Sequence, residues 1–216
     1  MYKKSLFIIS SLFFLFAGAY ETQAQQEKPY LNTKLSTEER VNDIVSKLTF
    51  AQKIKLLMYR GTPVQSNGLD IPAYNWWNEC LHGVARAGKA TVFPQAIGFA
   101  ATWDTALIQK VADAISDEAR AKHEFFAKKD KRGIYQGLNF WTPNINIFRD
   151  PRWGRGMETY GEDPFLTGKI ASSFVRGLQG DNPNYYKTIA TVKHFVVHSG
   201  PESSRHRYNA IISDRD

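Results

Sequence analysis

The sequence predicts an α/β fold: a (β/α)8 barrel of the TIM type, present only as its N-terminal half. Three observations carry this. Four apolar, strand-like stretches alternate with helix patterns along the chain. One of them, Thr188 to Val192, is β-branched and apolar, as a strand covered on both faces should be. Another, Leu138 to Ile147, runs straight into a loop rich in Pro, Gly and Arg and then into a helix pattern, which is one repeat of a β/α architecture. Four strands are about half of a barrel, and a closed barrel usually takes about 250 residues.

Each element has a local reason. Residues 1–24 read as an export signal: Lys3 and Lys4, an apolar run from Leu6 to Ala19, then Thr22-Gln23-Ala24 before Gln25. The run is shorter than the roughly 20 residues a membrane span needs. We therefore expect cleavage, export to the periplasm or beyond, and no membrane span in the mature chain, residues 25–216. Ser36 and Glu39 form a capping box that opens a helix to Leu48, with Val41, Ile44 and Val45 on helical spacing. Thr49 and Gln52 form a second box, for a short helix that Gly61 and Pro63 end. Leu69 to Trp77 is the first strand candidate and Val92-Phe93-Pro94 marks the second. Asp104 caps a helix with Leu107, Ile108, Val111, Ile115 and Ala119 on one face. After the third strand and its loop, Asp163 caps a helix and Pro164 takes its first position. Leu166, Ile170, Phe174 and Leu178 repeat there at every fourth residue, and Gly180 closes the element. Thr188 to Val192 is the fourth strand.

Bulk composition excludes several function classes. The net charge of +7 falls to +6 without Lys3, Lys4 and Glu21 of the leader. The basic residues are scattered, apart from Lys128-Lys129-Asp130-Lys131-Arg132, which reads as a solvated loop after a helix. No aromatic residues interleave with basic ones, so nucleic acid is not an expected partner. The single cysteine, Cys80, makes no internal disulfide and reads as a small buried hydrophobe. His82, His123, His194, His198 and His206 show no metal-ligand spacing, so neither a metal nor another cofactor is expected.

Three places stand out chemically. Trp76-Trp77-Asn78-Glu79 sets aromatic rings beside a carboxylate. Rings pack on the apolar C–H face of a sugar while a carboxylate accepts from its hydroxyls; the same residues also suit a packed aromatic pair with a surface glutamate. Lys193, at the end of an apolar strand, is costly unless it is paired or opens onto a cleft. The densest stretch is Arg149 to Pro164, RDPRWGRGMETYGEDP. Its arginines, on a loop stiffened by Pro and Gly, either present planar forks to an oxygen-rich ligand or brace a surface loop through Arg–Glu pairs.

The order of residues in WGRGMETYGEDPFLTG resembles the signature loop of family 3 glycoside hydrolases. The likeness extends to Asn75-Trp76-Trp77-Asn78-Glu79-Cys80-Leu81-His82-Gly83, to Phe93-Pro94 and to Lys193-His194-Phe195, and so covers essentially the whole mature chain. The WWNECLHG and Ser204-Arg205-His206 forms are similar to the branch that contains β-xylosidases. The resemblance implies a retaining, exo-acting β-glycosidase, β-xylosidase-like, acting on oligosaccharides or aryl glycosides. A β-glucosidase of the same family and a catalytically dead sugar-binding paralogue are the alternatives. It also implies that Glu79, Arg155, Lys193 and His194 bind substrate. Glu79 stands where the glucosidase branch has Asp, and Trp76 and Trp77 would crowd out the hydroxymethyl group of a hexose. Retention needs a nucleophile and an acid/base about 5 Å apart. By the resemblance, that Asp and Glu are expected beyond Asp216, so no catalytic residue is assigned within the chain, which is expected to be inactive alone. Glu158, Glu162 and Asp163 are not given the role, because the resemblance makes their loop a substrate holder.

Overall fold

The computed structural model describes residues 28–214, and the chain divides into two compact units, residues 1–47 and 48–216. The expected export signal, residues 1–24, lies outside the described residues. In the first unit, helix α1 (Thr37–Lys47) starts where its capping box dictates: Ser36 N donates to Glu39 Oε2 at 2.8 Å and Glu39 N to Ser36 Oγ at 3.2 Å. Glu38 and Glu39 sit in its first turn and Lys47 in its last, complementing the helix dipole. Arg40 Nε reaches back to the carbonyl of Tyr30 at 2.9 Å.

The second unit opens with α2 (Phe50–Leu56), whose Thr49–Gln52 capping box is complete. The chain then departs from the single strand expected over Leu69 to Trp77. It forms four short strands: β1 (Arg60–Gly61), β2 (Val64–Ser66), β3 (Leu69–Ile71) and β4 (Tyr74–Asn75). β2 pairs antiparallel with β3, and β1 with β4. Asn67 and Gly68 both take positive φ, 53° and 76°, which is the two-residue turn that folds β2 back on β3. Pro72 has no N–H for a ladder and separates β3 from β4. The strand expected at Val92-Phe93-Pro94 does not form either. Val92 is 77% exposed, Pro94 cannot donate, and the chain passes into a short helix, α3 (Ala96–Ala101).

The two strongest helix patterns become the two longest helices, α4 (Thr105–Ala127) and α5 (Pro164–Gln179). Asp104 and Asp163 cap them, accepting from Leu107 N at 2.9 Å and Leu166 N at 2.6 Å, and Gly180 ends α5 at φ 69°. The apolar core lies between them: Ile108, Ala112 and Ile115 against Ile170, Phe174 and Leu178. Gly177 lets the backbones approach, since a Cβ there would stand 2.3 Å from the carbonyl oxygen of Gln109. Cys80 is fully buried in the same core, and burial pushes its thiol pKa up, as suits a structural thiol.

Strand β5 (Asn139–Phe140) lies between α4 and α5 in sequence, and β6 (Ile189–Ala190) follows α5. β5 and β6 pair in parallel, Asn139 opposite Ile189 and Phe140 opposite Ala190, with α5 as the crossover between them. The alignment runs on through an isolated bridge, Asn144 to Lys193. Both strands are shorter than the expected Leu138–Ile147 and Thr188–Val192. The first stretch holds Asn139, Thr142, Asn144 and Asn146 in buried positions, and their side chains bond to Trp76 O, Cys80 N, Asn146 N and Val196 O in turn. The second is not covered on both faces: Ile189 is 47% and Val192 52% exposed among the described residues. What stands is an α/β arrangement with small sheets.

Candidate functional site

Beneath the site lies a layer of asparagines. The fully buried Asn78 donates to the carbonyls of Asn75 and Asn139, each at 3.0 Å, and accepts from Gly137 N at 2.7 Å. Gly137 is required there, because a Cβ would meet Asn78 Nδ2 at 2.6 Å. Asn139 donates to Trp76 O at 2.8 Å and accepts from the Tyr74 hydroxyl at 2.9 Å. Trp141 N donates to Asn78 O at 2.9 Å. The segments 74–80, 138–145 and 189–194 are thus laid side by side, and Glu79 and Lys193, at the far ends of the first and last, come to one place.

That place is a cleft of about 760 Å³ whose walls include Trp77, Glu79, Arg155, Glu158 and Lys193. Lys193 Nζ sits 2.9 and 3.2 Å from the two oxygens of Glu79. Arg155 faces Glu158 with both edges of a fork, Nε to Oε1 at 2.9 Å and Nη2 to Oε2 at 2.5 Å. Two cations and two carboxylates therefore form two ion pairs around one cleft. The loop that carries Arg155 and Glu158 closes tightly at a single 3-10 turn, Gly156–Glu158. Gly156 permits it, because a Cβ would stand 2.2 Å from the Phe148 ring. Trp153 and Tyr160 are buried on either side and anchor the loop.

His194 stands behind Arg155 rather than on the cleft wall. Arg155 Nη1 lies 3.3 Å from His194 Nε2 and 3.4 Å from His198 Nε2. The guanidinium can only donate, so each Nε2 is an acceptor. His194 Nδ1 then carries the proton and donates to Asn146 Oδ1 at 2.8 Å, which also accepts from His194 N at 2.9 Å. Asn146 Nδ2 in turn donates to Val196 O at 3.0 Å. The peptide between Lys193 and His194 is cis.

The electrostatics follow from burial and these pairings. Burial lifts the Glu79 carboxyl above its usual value in spite of Lys193, and the nearby Glu158 charge adds to the lift. Burial would lift Glu158 too, but the doubled hydrogen bond from Arg155 and the charges of Arg155 and Lys193 outweigh it and hold it below the usual range. For His194, burial and then the charges of Arg155, His198 and Lys193 push the imidazole down to about 3. It is neutral at ordinary pH. Burial and Arg155 also lower His198. Of the five N–H donors of Arg155, these contacts use four and leave one on Nη2.

Of the four sequence-predicted residues, the structure brings Glu79, Arg155 and Lys193 onto one cleft wall and places His194 against Arg155 from behind. Trp77 lines the cleft and stacks on Trp141 with ring centroids 5.1 Å apart; Trp76 packs on Tyr74 instead. Glu162 and Asp163 stay outside the cleft, Asp163 as a helix cap. Sequence reasoning missed Glu158, His198 and Asn146 as members of the site. Only Glu158 left a local signal, its spacing of three residues from Arg155 within a tight loop. The five histidines do not converge: His82 binds Phe93 O, His123 binds Gln136 O, and only His194 and His198 touch. No helix among the described residues is long and apolar enough to cross a membrane.

Comparison with known proteins places the chain. An α/β domain with a cleft of paired acids and bases fits many enzymes, but residues 35–215 match one family, the glycosyl hydrolase family 3 N terminal domain. The chain belongs to that family. It is 44% identical over 195 residues to a xylan 1,4-β-xylosidase of Xylanibacter ruminicola, covering 88% of this chain and 22% of that protein. It is 42% identical over 204 residues to an exo-1,4-β-xylosidase of Emericella nidulans, covering 88% and 25%. Among solved structures it is similar to a family 3 exo-β-xylosidase, XlnD, in complex with a xylobiose aziridine activity-based probe, with TM-score 0.66 and 35% identity over 77% of this chain and 22% of that one. It is also similar to a family 3 β-glucosidase of Bifidobacterium adolescentis, with TM-score 0.62 and 28% identity over 79% and 23%. The chain spans about a quarter of the length of the curated relatives it matches.

Proposed function

We propose that this chain supplies the sugar-holding part of a retaining, exo-acting β-glycosidase of the β-xylosidase type, which releases terminal sugars from oligosaccharides. The observation that carries the reading is the pairing around the cleft: Lys193 with Glu79 and Arg155 with Glu158, beside the exposed ring of Trp77. A terminal sugar is a ring of hydroxyls, each both donor and acceptor. The spare donors of Lys193 and Arg155 serve hydroxyl oxygens, and Glu79 and Glu158 accept from hydroxyl protons. Neutral His194 buttresses Arg155 without adding a competing charge. Such contacts raise the rate where they tighten as the ring flattens toward an oxocarbenium ion. The nucleophilic Asp and the acid/base Glu belong, in this reading, to parts of the enzyme outside residues 1–216. The fourfold greater length of the relatives supports that.

Three further points belong to the same proposal. The α/β segment is part of a (β/α)8 barrel, supported by the parallel β5–β6 pair with its α5 crossover and by the open apolar side of β6. Glu79 and Trp77 favour a pentose over a hexose at the terminal position, since a glutamate and a large ring fill space that a hydroxymethyl group would need. Residues 1–24 are a cleaved export signal, and the mature amino terminus lies near Gln25, which N-terminal sequencing of the secreted protein will read directly.

The test uses the full-length enzyme with Arg155→Ala, Lys193→Ala and His194→Ala. Each is expected to lower kcat/KM on aryl β-xylosides by roughly 10²-fold or more, the scale for losing a hydrogen bond that strengthens in the transition state. Near wild-type turnover by all three would refute the assignment. Faster turnover of aryl glucosides than xylosides would move the enzyme to the β-glucosidase alternative.

A further inference from the structure

We infer that Glu202 is a positioning residue for Arg155: it clips the loop that carries the arginine onto the segment that carries Lys193. This rests on the proposed reading of Arg155 as a sugar-holding residue. Glu202 does not line the cleft. It opens a 3-10 turn, Glu202–Ser204, on a strap of chain, residues 195–208, that continues directly from Lys193 and His194. Ser204-Arg205-His206, which the sequence singles out, lies on the same strap.

The strap grips four successive residues of the arginine loop. Glu202 N donates to Arg152 O at 3.0 Å. The His198 ring meets the Trp153 ring edge-on, with centroids 5.7 Å apart. The Glu202 carboxylate accepts from Gly154 N at 3.2 Å, and His198 Nε2 accepts from Arg155 Nη1 at 3.4 Å. Gly154 is what lets the carboxylate lie flat on the loop backbone, since a Cβ there would stand 2.9 Å from Cγ, Cδ and Oε2 of Glu202. The other carboxylate oxygen is 3.2 Å from Arg205 Nε, so both oxygens are engaged. The strap is itself tightly folded. Ser204 N and Oγ both donate to Pro201 O, at 3.1 and 3.3 Å, and Gly200 leaves room for the Tyr208 ring, which a Cβ would overlap.

Arg155 needs this second grip. Its fork with Glu158 lies within one loop, between residues three apart, so it sets the guanidinium only relative to its own loop. It does not set how far that loop stands from the Lys193–Glu79 pair, which other segments carry. Contacts that tighten in a transition state are steep in geometry, and a misplacement of about 1 Å can cost on the order of 10²-fold in rate. The strap supplies the missing constraint, because it starts at Lys193 and closes on Arg152 to Arg155. Glu202 acts there as an acceptor rather than as a charge. Its side chain keeps 44% of its surface exposed, so water and salt screen its field at the guanidinium. An uncharged side chain with an oxygen in the same place should therefore serve.

The test is a double-mutant cycle in the full-length enzyme, with kcat/KM on an aryl β-xyloside taken per folded molecule. Glu202→Ala is expected to lower kcat/KM about tenfold in the wild-type background, the scale of one hydrogen bond to a charged group. In the Arg155→Ala background it is expected to lower it by less than about twofold, because a residue that acts through Arg155 has nothing left to position. Glu202→Gln keeps an acceptor for Gly154 N and should stay within about threefold of wild type. Gly154→Ala, whose Cβ displaces the carboxylate, should match Glu202→Ala. An equal fall in both backgrounds, or no fall in either, overturns the positioning role and leaves the inner-cleft reading standing. Full activity of Arg155→Ala overturns the inner-cleft reading, and this inference with it.

Discussion

The layer between α4 and α5 and the layer beneath the cleft are both fully buried, yet they are built from opposite chemistry. The first is Ile108, Ile115, Ile170, Phe174 and Leu178, which make no polar demands and pack by shape. The second is Asn75, Asn78, Asn139, Asn144, Asn146, Thr142 and Thr159, whose side chains must find partners or lose stability. The difference teaches what each layer is for. An apolar layer stabilises and tolerates small adjustments. A polar layer fixes position, because each amide of the Asn78 kind is satisfied in only one arrangement. The cleft residues Glu79, Trp77 and Lys193, and His194 behind Arg155, all leave the chain at the edge of that polar layer.

Two substitutions break the comparison if it is wrong. Phe174→Ala, in the apolar layer, is expected to cost about 3–5 kcal/mol of stability. Denaturant unfolding should show a large fall in midpoint, while the folded fraction keeps its kcat/KM, because Phe174 packs between α4 and α5 and does not line the cleft. Asn146→Ala, in the polar layer, leaves His194 N and Nδ1 without their acceptor and should cost about 1–3 kcal/mol. Its mark should be the reverse: a smaller fall in midpoint, but a loss in kcat/KM of the folded enzyme as Arg155 loses its buttress. If Phe174→Ala lowered the kcat/KM of the folded enzyme as much as Asn146→Ala did, the two layers would not be doing different jobs.

The same contrast explains what could be read in the sequence. The helices were legible because their causes are local. Asp104, Asp163 and the Ser36–Glu39 and Thr49–Gln52 boxes lie within four residues of what they cap, and the α5 stripe of Leu166, Ile170, Phe174 and Leu178 has a period. The polar layer has neither. Asn78 meets Asn139 across 61 residues and Asn146 meets His194 across 48, so no window of sequence shows the bond. Read as apolar, Leu138 to Ile147 was expected to be one long strand; its asparagines and Pro143 shorten the ladder to two residues. The hairpin signal Asn67-Gly68 was local and available; it joins β2 to β3 just ahead of the first strand candidate, which Pro72 divides. Glu79, Lys193 and the arginine loop stood out on residue chemistry, the family resemblance gave Glu79, Lys193 and Arg155 their expected role, and the structure adds that each is paired. His198 could not have been found, because it reaches Arg155 only through the fold of the loop after β6.

The smallest expected effect concerns the dryness of the polar layer, and it sharpens the comparison through pH. Burial, then Arg155, His198 and Lys193, hold the His194 imidazole down to about 3, against 6.5 for an ordinary histidine. Between those values the unfolded chain binds a proton at this position and the folded chain does not. Unfolding therefore takes up a proton, and the contribution of His194 to stability falls as pH falls below 6.5, with no change above it. Glu158, held below the usual carboxyl range, loses its contribution only at lower pH; Glu79, lifted above that range, works in the opposite direction. All of these remain in a His194→Asn variant, which keeps a hydrogen-bonding side chain beside Asn146 and removes only the imidazole. Between pH 7 and pH 5 the wild-type unfolding midpoint should therefore drop further than that of the variant. The gap should be small, because the ring is only partly buried and solvent screens its charge. Equal slopes would mean that His194 takes its proton as freely folded as unfolded. The layer beneath the cleft would then be wet and adaptable, and the orientation of Arg155 would have to come from Glu158 and His198.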